Sequence, residues 1–445
     1  MSIFKAYDIR GIYPSEIDER VAYRIGAAFG THNPGKIVVG CDTRLSSPQL
    51  KEHFINGAIL TGSEILNIGI VTTPIVVFAI KHFNCDGGVN ITASHNPREY
   101  NGFKLFDENA MPISYESGIG TLKAVFESEN YRKGNGSSST RAIKEDYINF
   151  ILTLARVKIG NRLSVVIDGS NGAAGLYAPE IYRRLGMTVN ELNCTADGNF
   201  PGHNPDPSKE ENLLDAKSRV KEAGADLGFV YDGDGDRLAV IDKDGTAIES
   251  SRIFSLLVRH LLEEKPGTKI VHDVLMSGMA IDTIKRYGGL AIPCRVGHTY
   301  IAQKMMEEAA ELGGELSGHY YFKETFFADD AILASLKIVK LVSQEGKRLS
   351  ELIRDFPEYP SENVRISVKD SEKFSFIKKL KEELDKEGYL VDCLDGVKVM
   401  FEDGWALFRA SNTEPKISIA YESKDKEEYN KIKNFVQSII KKVPQ

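Results

Sequence analysis

The sequence predicts an α/β protein: three α/β units with a smaller α+β unit at the C-terminal end. Three observations carry that expectation. Apolar strand segments alternate with helical spacings over residues 36–91, two more units of strand and helix follow, and after "FPEYPSE" the pattern changes to short strands between charged helices. At about 100–200 residues per domain, a chain of 445 residues holds two to four domains.

In the first unit "KIVVGCD" reads as a buried strand, "PQLKEHFINGAILTG" has helical spacing, and "EILNIGIV" is a second strand. "TPIVVFAIKHF" is a second helix and "DGGVNIT" a third strand. This βαβαβ order favours a parallel sheet covered by helices. "RKGNGSSSTRA", residues 132–142, is small and polar and reads as a linker or loop. "LSVVIDGSNGAAG" then reads as strand, Gly-rich turn and helix start, and "ADLGFVYDGDGDRLAVIDKDG" as two strands around an acidic loop. A third unit runs from the helical "SRIFSLLVRHLLEE" through the strand "KIVHDVL" to the helical "DDAILASLKIVKLV". The last unit holds "NVRISV", the charged helix "SEKFSFIKKLKEELDKEG", the strands "GVKVMF", "WALFRA" and "KISIAYE", and a basic final helix. The three α/β units share no obvious sequence repeat.

Composition narrows the class. Hydrophobic residues make up 42% and charged residues 27%, as in a soluble globular protein. A formal net charge of -7 argues against nucleic acid as the main partner, while leaving room for a local basic cleft. The five cysteines are scattered singly with no CxxC, which is neither a disulfide framework nor a zinc site and suits a reducing compartment. "MSIFKAYDIRG" lacks the long apolar stretch of a signal peptide, and no apolar run approaches the roughly 18 residues of a membrane span. A cytoplasmic protein without a membrane partner is expected.

The sharpest chemical signal is "YDGDGDR". Asp232, Asp234 and Asp236 lie at spacing two with Gly between them. Such a run also makes an ordinary turn, but three carboxylates this close repel one another unless a cation neutralises them. An EF-hand needs Gly at position six and Glu at position twelve; counted from Asp232 these are Arg237 and Lys243. Mg²⁺, which takes few protein ligands and fills its shell with water and phosphate oxygens, fits better than Ca²⁺. Arg237 offers a planar fork for phosphate oxygens, or a plain ion pair with a neighbouring Asp. "GTHNPGKI" nearly matches a P-loop, but Ile37 replaces the metal-binding hydroxyl and the segment leads into a strand.

"TASHNPREYNGFK", residues 92–104, follows the C-terminal end of a strand, the edge where open α/β sheets bind ligands. Its short polar residues make a turn, and Ser94 is either part of that turn or a phosphate carrier. No GxSxG elbow is present, so a hydrolase triad has little support. A phosphorylated serine needs cations around it. The chain offers the acidic loop's metal, Arg237, Lys104 and, in "KAYDIRG", Arg10. "GGELSGHYYF" holds Glu315, Ser317 and His319 at alternating positions; in an extended segment they would point the same way and could bind vicinal hydroxyls of a sugar. "FRASNTEPK" brings Arg409, Ser411, Asn412 and Thr413 into one turn, the donor set a phosphate monoester needs. "CRVGHTYI" adds Arg295, Gly297 and His298.

These motifs together resemble the α-D-phosphohexomutase superfamily, in its phosphomannomutase/phosphoglucomutase branch. "TASHNP" resembles its phosphoserine loop, "DGDGDR" its metal loop, "GELSGH" its sugar loop and "RASNTEP" its phosphate loop, in the family's order across residues 92–415; "YDIRG" and "NGFK" match as well. The resemblance implies three similar α/β domains with mixed sheets and a C-terminal α+β domain of the TATA-box-binding-protein-like type around a central cleft. The expected division is 1–145 (phosphoserine loop), 146–248 (metal), 249–358 (sugar) and 359–445 (phosphate). It implies that Ser94 carries the phosphoryl group, that Asp232, Asp234 and Asp236 hold Mg²⁺ with Ser94, and that Arg10, His95, Lys104 and Arg237 line the transfer centre, Lys104 or His95 helping with the proton. Glu315, Ser317, His319, His298 and Arg295 would face the sugar, and Arg409, Ser411, Asn412 and Thr413 the second phosphate. Activation by a hexose 1,6-bisphosphate, hexose phosphates as partners, and a monomer or homodimer are implied too. Cys41 stands where the family often has Arg, and Arg295 where Lys is common. Asn412 and Leu316 favour mannose and glucose phosphates over glucosamine phosphate. A phosphoglucosamine mutase, a Mg²⁺-dependent phosphatase with an aspartyl nucleophile, and a non-enzymatic sugar-phosphate sensor are the rival readings.

Overall fold

In the computed structural model, which describes residues 3–157, 163–411 and 416–442, the alternation over residues 36–91 becomes three parallel strands joined by helices. Lys36–Cys41 and Gly87–Ile91 are buried along almost their whole length. Strands covered on both faces need this near-continuous apolar run, and helices Ser47–Ile59 and Thr73–His82 pack against them. The sheet is mixed rather than purely parallel. Gly87–Ile91 pairs antiparallel with Tyr100–Phe106, which pairs antiparallel with Ile9–Ile12 at the edge. That return places Lys104 opposite Asn90, one strand away from where the "TASHNP" loop leaves the sheet.

The segment expected to be a linker departs from its reading. Ser137–Thr140 is a fourth parallel strand, paired with Glu64–Asn67 at the other edge. All four of its residues are exposed. A strand held by backbone hydrogen bonds alone carries no hydrophobic period, so side-chain patterning could not reveal it.

The second sheet runs, edge to edge, Ala247–Ile248, Leu238–Asp242, Leu227–Tyr231, Ser164–Asp168 and Thr188–Leu192. Its antiparallel hairpin, Leu227–Tyr231 with Leu238–Asp242, presents the acidic loop at its tip. The third sheet orders Leu290–Cys294, Lys269–Asp273, Leu312–Gly314 and Tyr320–Phe322, the last pair antiparallel. The fourth is antiparallel throughout: Ser361–Ser367, Lys416–Ser423, Gly404–Ala410, Val397–Met400 and Val391–Asp392, with helices Asp370–Lys386 and Lys426–Ile440 packed on it.

The core divides unevenly. One apolar cluster runs from Val38 to Phe356 and draws on all three α/β units. The fourth unit has its own core, from Val368 to Ile439. It meets the third through a small patch in which Val274 packs with Trp405, Leu407 and Ala420. Polar ties surround that patch: Gly278 N–H donates to Glu422 Oε1 at 2.7 Å, and Lys398 Nζ donates to the Val274 carbonyl at 2.8 Å. Among the described residues no helix is long and apolar enough to cross a membrane.

Helix Ala331–Glu345 buries ten of its fifteen residues and sits where the α/β units meet. Its Ser335 hydroxyl accepts from Tyr182 Oη at 2.7 Å and lies 2.8 Å from Tyr231 Oη, just before the acidic loop. Its N-cap, Asp330, accepts from Leu333 N–H and from Tyr147 Oη, each at 2.9 Å. Burial pushes the Asp330 carboxyl up to about 7 despite those bonds. A carboxyl raised in the native state binds its proton more tightly there than in the unfolded chain. Its contribution is therefore complete below pH 4 and lost as pH rises to 7, at roughly 1.4 kcal/mol per pH unit. Asp330→Asn keeps the cap acceptor without the charge. In urea titrations at pH 5 and pH 8, the stability difference should shift in favour of the Asn variant at pH 8; a pH-independent difference would contradict it.

Candidate active site

The serine loop is built on strain and one buried cation. Ser94 has φ 51°, a left-handed conformation that a residue with a Cβ adopts at a cost of about 1 kcal/mol or more. Its N–H is satisfied by Thr92 Oγ1 at 2.8 Å. Its carbonyl, with those of Asn96, Pro97 and Tyr100, accepts from the guanidinium of Arg44 at 2.6–3.1 Å. Arg44 is fully buried and donates through Nε to Asp42 Oδ2 at 3.0 Å. Asp42 also accepts from Ser47 Oγ at 2.5 Å and Thr92 Oγ1 at 2.7 Å. The buried charge pair is thus saturated with hydrogen bonds, the condition for tolerating it. Cys41, behind this loop, is buried, and burial pushes its thiol up to about 11, which leaves it unreactive.

The acidic loop closes onto the serine loop from the second unit. Gly235 turns it with φ 74°, and a Cβ on Gly233 would lie 2.6 Å from the Ser94 carbonyl, so only glycine permits this approach. Ser94 Oγ donates to Asp232 Oδ2 at 2.8 Å and lies 3.1 Å from His95 Nδ1. Lys104 Nζ donates to Asp234 Oδ2 at 2.8 Å and to Asp236 Oδ2. Thr73 Oγ1 donates to Asp234 Oδ2 at 2.5 Å and accepts from Asn90 Nδ2 at 2.8 Å.

All three aspartates are buried. Burial, then the neighbouring Asp236 and Asp234 charges, pushes the Asp232 carboxyl well above the usual range. Burial also opposes ionisation of Asp234, but the Lys104 ammonium outweighs it and holds that carboxyl below its ordinary value. Lys104 in turn is disfavoured by burial, yet Asp234 and Asp236 raise it above a free lysine. The donor set fits a hard divalent cation. One oxygen of each aspartate lies within 4.8 Å of the others, Asp234 Oδ1 and Asp236 Oδ1 are buried without a hydrogen-bond partner, and Asp232 resists ionising in the absence of more positive charge.

The third unit adds a second wall. Arg237 Nε donates to His319 Nε2 at 2.9 Å, and His319 Nδ1 lies 2.6 Å from Asp329 Oδ2 and 3.6 Å from Asp236 Oδ1. Burial lowers His319, but Asp236 and Asp329 overcome this and raise it above a free imidazole. His95 and His298 behave oppositely. Burial first, then cations (Arg237 and Arg10 for His95, Lys104 for His298), keeps both well below the ordinary value. Arg10 donates to Asn96 Oδ1 at 2.6 Å and Asp8 Oδ2 at 2.5 Å, beside the serine loop.

Ser94, His95, Lys104, Arg237, the three aspartates and His319 therefore form one chain of contacts. The sugar-loop residues do not share one extended face, as their alternation suggested. Residues 315–318 are a turn, closed by Gly318 N–H to the Glu315 carbonyl at 3.0 Å with Gly318 at φ 90°. A turn rotates successive side chains apart. Glu315 accepts from Gly297 N–H at 2.8 Å and from Tyr321 Oη at 2.6 Å, His319 faces Asp329, and Ser317 is half-buried in the turn. His298 begins helix His298–Glu308 with its ring 5.5 Å from Tyr7. Arg295 is directed at the first unit: 42% exposed, it pairs with Glu116 at 3.3 Å and lies 3.9 Å from the Tyr300 ring centre. Arg409 lies 3.4 Å from Asp395 and Ser411 directly follows the strand that carries Arg409, while Asn412 and Thr413 lie outside the described residues. Sequence reasoning missed Arg44, Asp42, Thr73 and Asp329. Asp42 and Arg44 both stand in "GCDTR", just after Cys41; Thr73 and Asp329 carry no local pattern.

Fold and site define a class: a four-domain α/β protein in which a strained serine rests on a buried aspartate triad supplied by the next domain. Comparison places it within that class. Models of phosphoglucomutase/phosphomannomutase match residues 1–132 (alpha/beta/alpha domain I), 145–245 (domain II), 249–359 (domain III) and 364–438 (C-terminal domain), and the chain belongs to this family. It is similar to a phosphomannomutase/phosphoglucomutase of Pseudomonas aeruginosa, 36% identical over 99% of this chain and 96% of that one. It is also similar to a phosphoglucomutase/phosphomannomutase of Thermococcus kodakarensis, 37% identical over 96% of this chain and 95% of that one. A crystal structure of a phosphoglucomutase/phosphomannomutase family protein from Burkholderia thailandensis superposes with TM-score 0.91 at 31% identity, covering 99% of this chain and 97% of that one.

Two buried cations predict two different phenotypes. Arg44→Met removes the countercharge of buried Asp42 and the donor shared by four carbonyls, and Lys104→Met leaves Asp234 and Asp236 uncompensated; each should cost about 3–5 kcal/mol in chemical denaturation. Added Mg²⁺ should recover part of the loss for Lys104→Met and none for Arg44→Met. Equal recovery in both variants would contradict the assignment of the aspartates as the cation site.

Proposed function

We propose that this enzyme interconverts the 1- and 6-phosphates of hexoses, mannose and glucose among them, by passing a phosphoryl group through Ser94. The observation that carries the reading is Ser94 itself, strained in its backbone, 2% exposed and bonded through its hydroxyl to Asp232, with the charges of Arg237, Arg10 and Lys104 acting on the adjoining His95. The names of the relatives, which join mannose and glucose mutase activity in one protein, support the same substrates.

In this reading phosphoseryl-94 faces the hydroxyl of a bound hexose monophosphate. The Oγ–P bond breaks as a bond from phosphorus to the sugar oxygen forms, and the hydroxyl proton leaves to a base. His95, held neutral beside Ser94 Oγ, suits that task; Lys104, held charged, suits the developing negative charge. Arg237 and Arg10 present further guanidinium donors to the phosphoryl oxygens. Asp232, Asp234 and Asp236 would hold Mg²⁺, which when bound supplies charge neutralisation at the phosphoryl group. The bisphosphorylated sugar then turns, its other phosphate passes to Ser94 Oγ, and the proton returns to the freed sugar oxygen. Arg409 and Ser411 would grip whichever phosphate is not reacting. Glu315 and Ser317 would meet the sugar hydroxyls.

Phosphate on Ser94 in peptide mass analysis of active protein is the expected result. Ser94→Ala should lower turnover of mannose and glucose 1-phosphates by at least about a thousandfold, since the covalent route is removed. Unphosphorylated wild type should depend on added hexose 1,6-bisphosphate. Phosphate on an aspartate, or release of inorganic phosphate in step with substrate loss, would favour a phosphatase instead.

A further inference from the structure

Arg295, Val296, Gly297 and His298 are each held by a separate contact, drawn from the first, third and fourth units. Arg295 pairs with Glu116 of the first unit at 3.3 Å. Val296 N–H donates to Asp395 Oδ2 of the fourth unit at 3.0 Å. Gly297, at φ 134°, donates through N–H to Glu315 Oε1 at 2.8 Å. The His298 ring meets Tyr7 of the first unit.

Asp395 has a second contact. The same Oδ2 lies 3.4 Å from Arg409 NH1, and both side chains are about 85% buried, with exposures of 14% and 16%. The local backbone is shaped for this. Gly396 has φ 95°, and a Cβ there would lie 2.4 Å from the Phe408 carbonyl and 3.1 Å from Arg409 Cα. The Asp395 turn is thus laid directly on the strand that carries Arg409. One carboxylate oxygen ties the guanidinium of the fourth unit to the backbone of the loop that carries His298. A guanidinium has a planar fork, and a carboxylate on one edge fixes which N–H groups remain for a ligand.

We propose that Asp395 is a positioning residue. It aims Arg409 into the cleft and couples that aim to the position of the His298 loop, so that the phosphate grip and the sugar-side wall are set together. The identity of the ligand as a hexose phosphate rests on the function proposed above; the coupling between Asp395 and Arg409 does not.

Asp395→Asn keeps an acceptor for Val296 N–H and removes the charge beside Arg409. KM for hexose phosphate should rise about tenfold with kcat within about twofold, because the loss falls on ground-state placement of a non-reacting group. In an Arg409→Ala background the same change should alter KM by less than about twofold, since the effect runs through Arg409. A KM unchanged in Asp395→Asn, or the same factor in both backgrounds, would overturn the proposal. Should the Asn variant lose thermal stability, Asp395→Glu decides: recovery of KM supports the charge's role, and no recovery overturns it. Calorimetric binding of glucose 6-phosphate to the same set reads the coupling without turnover. A chain that binds it with the predicted coupling yet isomerises nothing would sink the mutase reading and sustain this one. A wild type that neither binds nor turns over hexose phosphate would overturn both.

Discussion

The structure depends on compensating three carboxylates buried within a single hairpin tip. Asp232, Asp234 and Asp236 lie almost wholly out of water. At an effective dielectric near 20, two unit charges 4 Å apart interact by about 4 kcal/mol, and three such repulsions would exceed what one hairpin could absorb. The second unit cannot solve this alone. The hydroxyls of Ser94 and Thr73 and the ammonium of Lys104 come from the first unit, and His319 comes from the third. Electrostatics therefore requires the units to dock, and their shared apolar cluster supplies the free energy that holds them there. Gly233 and Gly235 follow from the same demand, because any side chain at Gly233 would hold the two loops apart.

The Arg44–Asp42 pair is the counterpart within the first unit. A left-handed serine and a run of four carbonyls pointing inward would not persist on local preferences. Arg44 converts that loop into a cage by filling the carbonyls with five-donor geometry, and Asp42 neutralises it. Strain at Ser94 is thus held by a charge pair whose hydrogen bonds lie within the first unit. The backbone at Ser94 is held by Arg44, while its hydroxyl bonds Asp232 of the second unit.

What the sequence revealed and what it hid divide along the same physical line. Features written within a few residues were legible: the βαβαβ alternation of 36–91, the acidic loop between two strands, and the change to an antiparallel unit near residue 360. Features created by chain segments meeting were not. Arg44 is separated by 50 residues and more from the carbonyls it holds. Asp329 reaches His319 across a short connection, but nothing in "FADD" distinguishes a histidine partner from a helix cap; indeed its neighbour Asp330 is the cap. Ser137–Thr140 hid because backbone pairing leaves no side-chain period. Glu315, Ser317 and His319 misled because alternation implies a shared face only in extended chain, and Gly318 turns the chain there. Motif resemblance supplied the missing long-range information by naming segments together, without the bonds that join them.

The seam to the fourth unit shows how a separately folded part can still be placed accurately. Its core is its own, and the apolar patch it shares with the third unit is small. Placement falls to polar ties: three run from a side chain of the fourth unit to the backbone of the third, Glu422 to Gly278 N–H, Lys398 to the Val274 carbonyl and Asp395 to Val296 N–H, and a half-exposed Lys424–Asp282 ion pair at 2.9 Å joins them. Backbone groups cannot rotate away, and hydrogen bonds weaken within a few tenths of an ångström of their optimum, so three such ties fix position more tightly than their summed strength suggests. Glu422 also meets the N-terminal end of helix Gly278–Arg286, where the helix dipole favours an anion. Lys398 lies over Trp405, and burial pushes its ammonium down to about 8, so its proton is held less tightly in the seam than in water. An interface of this kind is specific in position and modest in energy. That combination places Arg409, paired with Asp395, beside the loop that carries His298.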